Sequence, residues 1–304
     1  MHAYLIMAHH NFEQLKILLS MLDDKRNNLF IHIDSKAANQ MEIRKHCENI
    51  VNEAVIIWLK SENISWGGYS QVQCELNLLK MARSRYRYDY YHLLSGDDLP
   101  LSSQDEIHEF FGKNKGKNFV NLGSERYSKE CEERCRYYYL FQDYIGKSEK
   151  YQHVFLKGIR RICLWVQKLA GTNRIKRNFR NIKLVHGSNW FSITDKLAEY
   201  ILLNEKWIFQ VFHHGSCVDE LFLQTLVYNS SFVHTLYIPS FNNGCEGNKR
   251  SIYFENGIPH VWKMNDYDRL KAEKCLFARK FDMETDGEII KKIEKDVLGK
   301  NRIL

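Results

Sequence analysis

Apolar and polar positions along the first third of the chain alternate between two periods. "AYLIMAHH" is a short apolar run ending in polar residues, and "NFEQLKILLSMLDD" sets Phe12, Leu15, Ile17, Leu18, Leu19 and Leu22 at the i, i+3, i+4 spacing of a helix. "NLFIHIDS" reads as a second strand that ends on Asp34, and "AVIIWLK" as a third. After "SENISWGGYS", the stretch "QVQCELNLLKMARSR" predicts a helix, and "YDYYHLLSGDDLPLSS" a fourth strand closing in an acidic, proline-containing turn. Ser103 followed by Glu106 forms an S-x-x-E capping box for the helix "QDEIHEFFGK". Strands alternating with helices predict an α/β chain with a mostly parallel, twisted sheet flanked by helices, whose ligands collect at the carboxyl ends of the strands. That rule puts His9, His10, Asp34, Trp66 and Asp98 on one rim.

The pattern is less regular further on. Residues 121 to 150 are rich in Arg, Glu and Tyr, and "VFLKGIRRICLWVQKLAG" has the spacing of an amphipathic basic helix. A strand-like "KLVHGSNWFSIT" precedes a helix from about Asp195 to Leu203, and "CVDELFLQTLVYNSSF" offers Leu221, Leu223, Leu226 and Val227 as one buried helical stripe. "KRSIYFENGIPHVW", the helix candidate "NDYDRLKAEK" and "CLFARKFD" complete the reading. With three prolines, no internal repeat and no low-complexity linker, residues 1–304 are expected to form a single domain carrying a basic helical insertion at about 145–185.

Composition sharpens this picture in two places. A chain of 304 residues with 44% hydrophobic residues is long and apolar enough for a large core, which excludes global disorder. The net charge of +7 is local: residues 150 to 194 hold ten Lys/Arg and no Asp or Glu, so the remainder is net acidic. With Ile159, Ile162, Leu164, Trp165, Val166 and Leu169 interleaved among Arg160, Arg161 and Lys168, segment 150–183 suits either an anionic membrane surface or a basic helix that covers the core or grips a phosphate. The basic block alone does not call for a nucleic-acid partner. Eight scattered cysteines, of which only Cys131 and Cys135 lie close, complete no zinc pattern and read as reduced thiols. With no signal-peptide pattern and no long apolar stretch, the expected location is cytoplasmic, with peripheral contact at the inner face of a membrane.

Two constellations carry candidate chemistry. Asp219 and Glu220 head an apolar helix, where Asp219 would cap it and Glu220 complement its dipole; alternatively, a carboxylate held ionised there removes a hydroxyl proton. Arg279 and Lys280 in "LFARKFD", with Arg250 in "KRSIYF", are cations able to stabilise a departing diphosphate in place of a metal. Asp266-Tyr-Asp268 fits a metal-holding Asp-x-Asp literally, but it sits where a helix begins, so capping by Asn265 or Asp266 accounts for it; Asp97 and Asp98 read as a turn. No metal is assigned to either, nor to the pairs His9-His10 and His213-His214, whose side chains should diverge on a strand. A glycoside hydrolase, pairing Glu220 with Asp98, and a carbohydrate-binding module, stacking sugars on Trp66 and Trp190, are the rival readings.

Six segments in order, "AYLIMAHHN" with "IHIDSK", "ISWGGYSQVQCELNLLKMA", "YYHLLSGDDLPL", "HGSNWFSIT", "VDELFLQTLVYNSSF" and "CLFARKFD", resemble the core-2/I-branching β-1,6-N-acetylglucosaminyltransferase family, which includes the peptide O-xylosyltransferases. The resemblance covers roughly residues 3 to 282. It implies a GT-A-type α/β fold and an inverting enzyme that uses a nucleotide sugar without a metal cofactor. Glu220 matches the catalytic glutamate, with Val218 where proline is usual, and Lys280 the lysine on the donor diphosphate. Arg250 stands for its arginine partner; His9, Asp34 and Trp66 match nucleotide-binding positions; Asp98, Trp190 and Asp219 match the cleft and acceptor side. UDP-GlcNAc is the implied donor, with UDP-xylose, UDP-glucose and UDP-galactose open, and the partner is a glycan or lipid-linked glycan acceptor of surface polysaccharide synthesis.

Overall fold

A computed structural model describes residues 1–146, 151–179, 181–241, 244–255 and 257–300. The first part alternates β1 (His2–Ala8), α1 (Phe12–Met21), β2 (Asn27–Ile33), α2 (Gln40–Glu48), β3 (Val55–Trp58), α3 (Tyr69–Arg85), β4 (Tyr90–Ser95), β5 (Leu99–Pro100) and α4 (Gln104–Lys113), as its pattern predicts except for α2 and β5, which the pattern does not mark. Short helices follow, α5 (Glu125–Cys131), α6 (Glu133–Arg136) and α7 (Gln142–Ile145), then the long α8 (Tyr151–Leu169) and α9 (Arg174–Asn178). β6 (Ser192–Thr194), α10 (Asp195–Leu203), α11 (Glu205–Phe212) and α12 (Phe222–Tyr228) lead to β7 (Arg250–Ile252), β8 (Phe254–Glu255), β9 (Ile258–Pro259), α13 (Tyr267–Ala272), β10 (Phe277–Arg279) and α14 (Met283–Lys300). The expected basic insertion falls on α8 and α9, while its residues 147–150 and 180 lie outside the described ones.

The main sheet has the order β3-β2-β1-β4-β6, parallel except for β6, which runs antiparallel to β4. This is the mixed α/β architecture, with a mostly parallel sheet flanked by helices, that the alternation predicts. β1 explains its depth: Ala3 and Leu5 face one apolar cluster with α3, α10 and α12, while Tyr4, Ile6 and Ala8 face the other with α1, α4 and α14. Successive side chains of a strand point to opposite faces, so a strand covered on both sides reads as a continuous apolar run. The capping box is present: Ser103 Oγ accepts from Glu106 N, and the Glu106 carboxylate accepts from Ser103 N.

Two departures matter for the site. Of the strand-like stretch before α10, only Ser192–Thr194 pairs with β4. Residues 185–188 spend their backbone donors elsewhere, Val185 N on Thr225 Oγ1, Gly187 N on Glu220 O and Ser188 N on Asn121 Oδ1, and so run as a loop. The second departure is a small sheet in the order β5-β10-β7, which carries residues 277–279 back beside the turn after β4.

Candidate active site

Register fixes the rim. Ala8 pairs with Ile33, and Met7 with Ser95, so the residues just past β1, β2 and β4 emerge together; Asp34 N donates to Ala8 O and Gly96 N to Met7 O. His9 is exposed there, and partial burial with His10 alongside lowers its pKa. The rings of His9 and His10 stack at 4.0 Å instead of diverging, because both lie beyond the end of the strand. Asp34 is buried and engaged: Oδ1 accepts from Lys36 N, Oδ2 accepts from Ile64 N at 3.4 Å and lies 2.9 Å from Lys36 Nζ. The loop that begins there reaches Trp66, half exposed, whose carbonyl accepts from Gln142; Gly67 O then accepts from Cys217 N, three residues before Glu220.

The cation cluster differs from its sequence reading. Arg250 is only 2% exposed, its guanidinium donating to Ser192 Oγ and to the carbonyls of Asn248, Leu93 and Phe191, above the ring of Phe277. Burial lowers its pKa to about 10, which leaves it charged but out of reach of a diphosphate. Arg279 is less enclosed; it stacks 4.5 Å over Trp190 and donates to Ser95 Oγ and to Asp98 Oδ1 at 2.8 Å. Lys280 Nζ sits 3.3 Å from Asp97 Oδ2. Asp98 is 2% exposed, and its carboxylate accepts from Ser95 N as well as from Arg279; burial outweighs these contacts and raises its pKa. The structure therefore gives Asp98 the task of holding Arg279 rather than facing a sugar, and Asp98 is too enclosed to flank a glycosidic bond as a hydrolase's second carboxylate.

Glu220 lies in a 3-10 turn, Val218–Glu220, ahead of α12, and no side-chain cap opens either element. Asp219 thus does not cap the helix; its Oδ2 accepts from Gln71 Nε2 at 3.3 Å and Asn189 Nδ2 at 3.4 Å. Burial, then the charge of Glu220, pushes the Asp219 pKa up to about 7. Beneath it Glu75 is fully buried with Oε2 unpartnered, and burial raises its pKa strongly as well. Glu220 behaves oppositely. Its side chain is 37% exposed, and Oε2 accepts from Arg134 Nη1 at 2.6 Å with His186 Nε2 at 3.4 Å. Burial opposes its ionisation, but the bonds from His186 and Arg134 prevail and lower its pKa. Oε1 has no protein partner among the described residues. The two adjacent carboxyls are thus pushed in opposite directions, Asp219 up and Glu220 down.

Residues 186–190 join the two clusters. His186 meets Glu220, Asn189 meets Asp219 and Trp190 lies under Arg279. Four residue steps span at most about 14 Å, so this loop keeps the carboxylate cluster and the cation cluster near each other. Gly187 permits the approach: a Cβ there would lie 2.1 Å from Asn121 O and 2.8 Å from Gln224 Cγ. His186 and Asn189 escaped sequence reading because they lie in irregular chain, Arg134 because its helix is a single turn, and Gln71 because a polar residue in the first turn of α3 carries no mark of its partner. Asp266 accepts from Lys263 N and from His260, which makes it a structural turn residue, but its side chain does not cap α13. Among the described residues, Cys245, Glu273 and Cys275 bring their ligand atoms within 4.8 Å of one another, but Cys275 precedes β10 and Lys280 follows it, so this cluster lies at the other end of that strand from the cations.

A family model of the Core-2/I-Branching enzyme matches residues 2–251. Xylosyltransferase 2 of Rattus norvegicus is 24% identical over 330 residues, covering 98% of this chain and 34% of the relative. The probable beta-1,3-galactosyl-O-glycosyl-glycoprotein beta-1,6-N-acetylglucosaminyltransferase 7 of Homo sapiens is 24% identical over 313 residues, covering 96% of this chain and 67% of that protein. The chain spans about a third of the length of the xylosyltransferases it matches. Among solved structures, mouse xyloside xylosyltransferase 1 in its apo form aligns over 74% of this chain and 81% of its own at 11% identity, with a TM-score of 0.33. The family match runs over well more than half of the chain, and it includes the strand ends, the 186–190 loop and Glu220; this protein belongs to the Core-2/I-branching enzyme family.

Proposed function

We propose that the protein is an inverting glycosyltransferase that moves a sugar from a nucleotide donor to a hydroxyl of a glycan acceptor, with Glu220 as base and no metal cofactor. The donor is a UDP-sugar, UDP-GlcNAc first, with UDP-xylose, UDP-glucose and UDP-galactose as the alternatives, and the product belongs to a surface polysaccharide. Family membership supports the reaction class, and the names of the relatives span xylosyl and N-acetylglucosaminyl transfer.

One observation carries the mechanism: Glu220 is ionised by contacts that fall on Oε2, which leaves Oε1 to accept a proton. Oε1 takes the acceptor hydroxyl proton as that oxygen forms its bond to C1 of the donor sugar, and the C1–O bond to the diphosphate breaks on the opposite face. Lys280, with Arg279 beside it, stabilises the charge that appears on the leaving diphosphate, and Arg134 holds the base oriented. His9, Asp34 and Trp66 border the nucleotide; Trp190 and Asp219 shape the acceptor side.

A screen of UDP-sugars for transfer or hydrolysis, with thermal stabilisation as a second readout, tests this reading. Turnover that persists in EDTA and gains nothing from added manganese is expected. Loss of turnover on chelation, restored by manganese, or the absence of both turnover and stabilisation with every UDP-sugar, would overturn it.

A further inference from the structure

α8 is apolar on the wrong side for a helix surrounded by water. Val154, Phe155, Ile162, Trp165, Val166 and Leu169 lie along one outward stripe and are 50% to 70% exposed. The inward side is already occupied: Arg160 donates to Gln142, Gln167 exchanges hydrogen bonds with the backbone of Tyr138, and Lys168 lies 3.5 Å from Glu133. A surface helix normally turns its apolar stripe to the core and its polar face outward, and a continuous exposed apolar patch marks an interaction surface. No helix among the described residues is long and apolar enough to cross a membrane.

We propose that α8 is an interfacial helix that lies on a bilayer containing anionic lipid. Charge selects the occupant. The segment from 150 to 194 has ten Lys/Arg and no acidic residue, and Arg161 on α8 and Lys176 and Arg177 on α9 are exposed. Anionic headgroups complement that field, whereas a second copy of the same face would oppose like charges. Trp165, at the centre of the stripe, is the type of side chain that settles at a membrane–water boundary.

The orientation has a consequence for the cleft. α8 rests on residues 133–145, and Arg134 of α6 holds Glu220, so docking sets the base side of the cleft within a helix diameter or two of the headgroups, roughly 10–20 Å. Such placement favours an acceptor that is itself lipid-linked; this consequence rests on the reading of Glu220 as base, whereas the docking does not.

Co-sedimentation of the full chain with vesicles of phosphatidylcholine, alone or with phosphatidylglycerol, tests the docking. Binding should require phosphatidylglycerol and weaken with salt. The combined variant Phe155→Gln, Ile162→Gln, Trp165→Gln and the combined variant Arg161→Glu, Lys176→Glu, Arg177→Glu should each lower partitioning about tenfold or more, with UDP-sugar turnover on a soluble acceptor unchanged. Equal binding to both vesicle types, no binding to either, or a dimer in light scattering that the apolar triple variant dissolves would overturn the proposal. Failure to detect sugar transfer would leave the partition result standing and fall on the proposed activity instead.

Discussion

Glu220 and Arg134 form the contact on which the proposed chemistry turns. The bonds from His186 and Arg134 lower the carboxyl's pKa in the folded protein, so their stabilising contribution is present above the unfolded value and is lost as pH falls through the folded one. The same shift keeps the base ionised to lower pH. Arg134→Met should therefore move the acidic limb of the kcat/KM profile to higher pH, and an unmoved limb would show that Arg134 does not set the base. Arg250 makes the opposite case, a cation whose work is internal. Arg250→Met removes the bonds that its guanidinium gives to the carbonyls of Leu93, Phe191 and Asn248, of which Phe191 O keeps Leu93 N as a donor. It should cost about 3–5 kcal/mol in urea unfolding, with KM for the nucleotide sugar unchanged in the folded fraction. A raised KM with intact stability would return Arg250 to the diphosphate.

At the scale of elements, the first half of the chain was legible and the middle was not, for one physical reason. β1, β2 and β4 are covered on both faces, and α1 and α3 each lay an apolar face on the sheet, so burial writes period into the sequence. The rim at His9, Asp34 and the 97–98 turn followed from that period and from topology. Segment 121–145 and the 185–190 loop are held by side-chain and backbone hydrogen bonds of individual residues, which leave no repeat to read; Arg134 and His186 sit there. Arg250 misled because a basic residue in a short strand gives no sign of its depth, and only the pairing of β7 with β10 reveals that it is enclosed. The α8 pattern was read as amphipathic, but periodicity cannot say which face meets the protein and which meets something else.

Across the whole molecule, loop 186–190 links two distant parts of the chain, the Glu220 turn and the Arg279–Lys280 corner. The pairing of β10 with β5 delivers Arg279 and Lys280 to the turn after β4, while the 186–190 loop ties that corner to Glu220. The account stands or falls on Glu220 as the group that takes the acceptor's proton, and steady-state turnover of Glu220→Gln with the UDP-sugar found active measures that directly. A folded variant whose kcat is lower by about 10² to 10⁴ is expected, and one that turns over at the parent rate would contradict it.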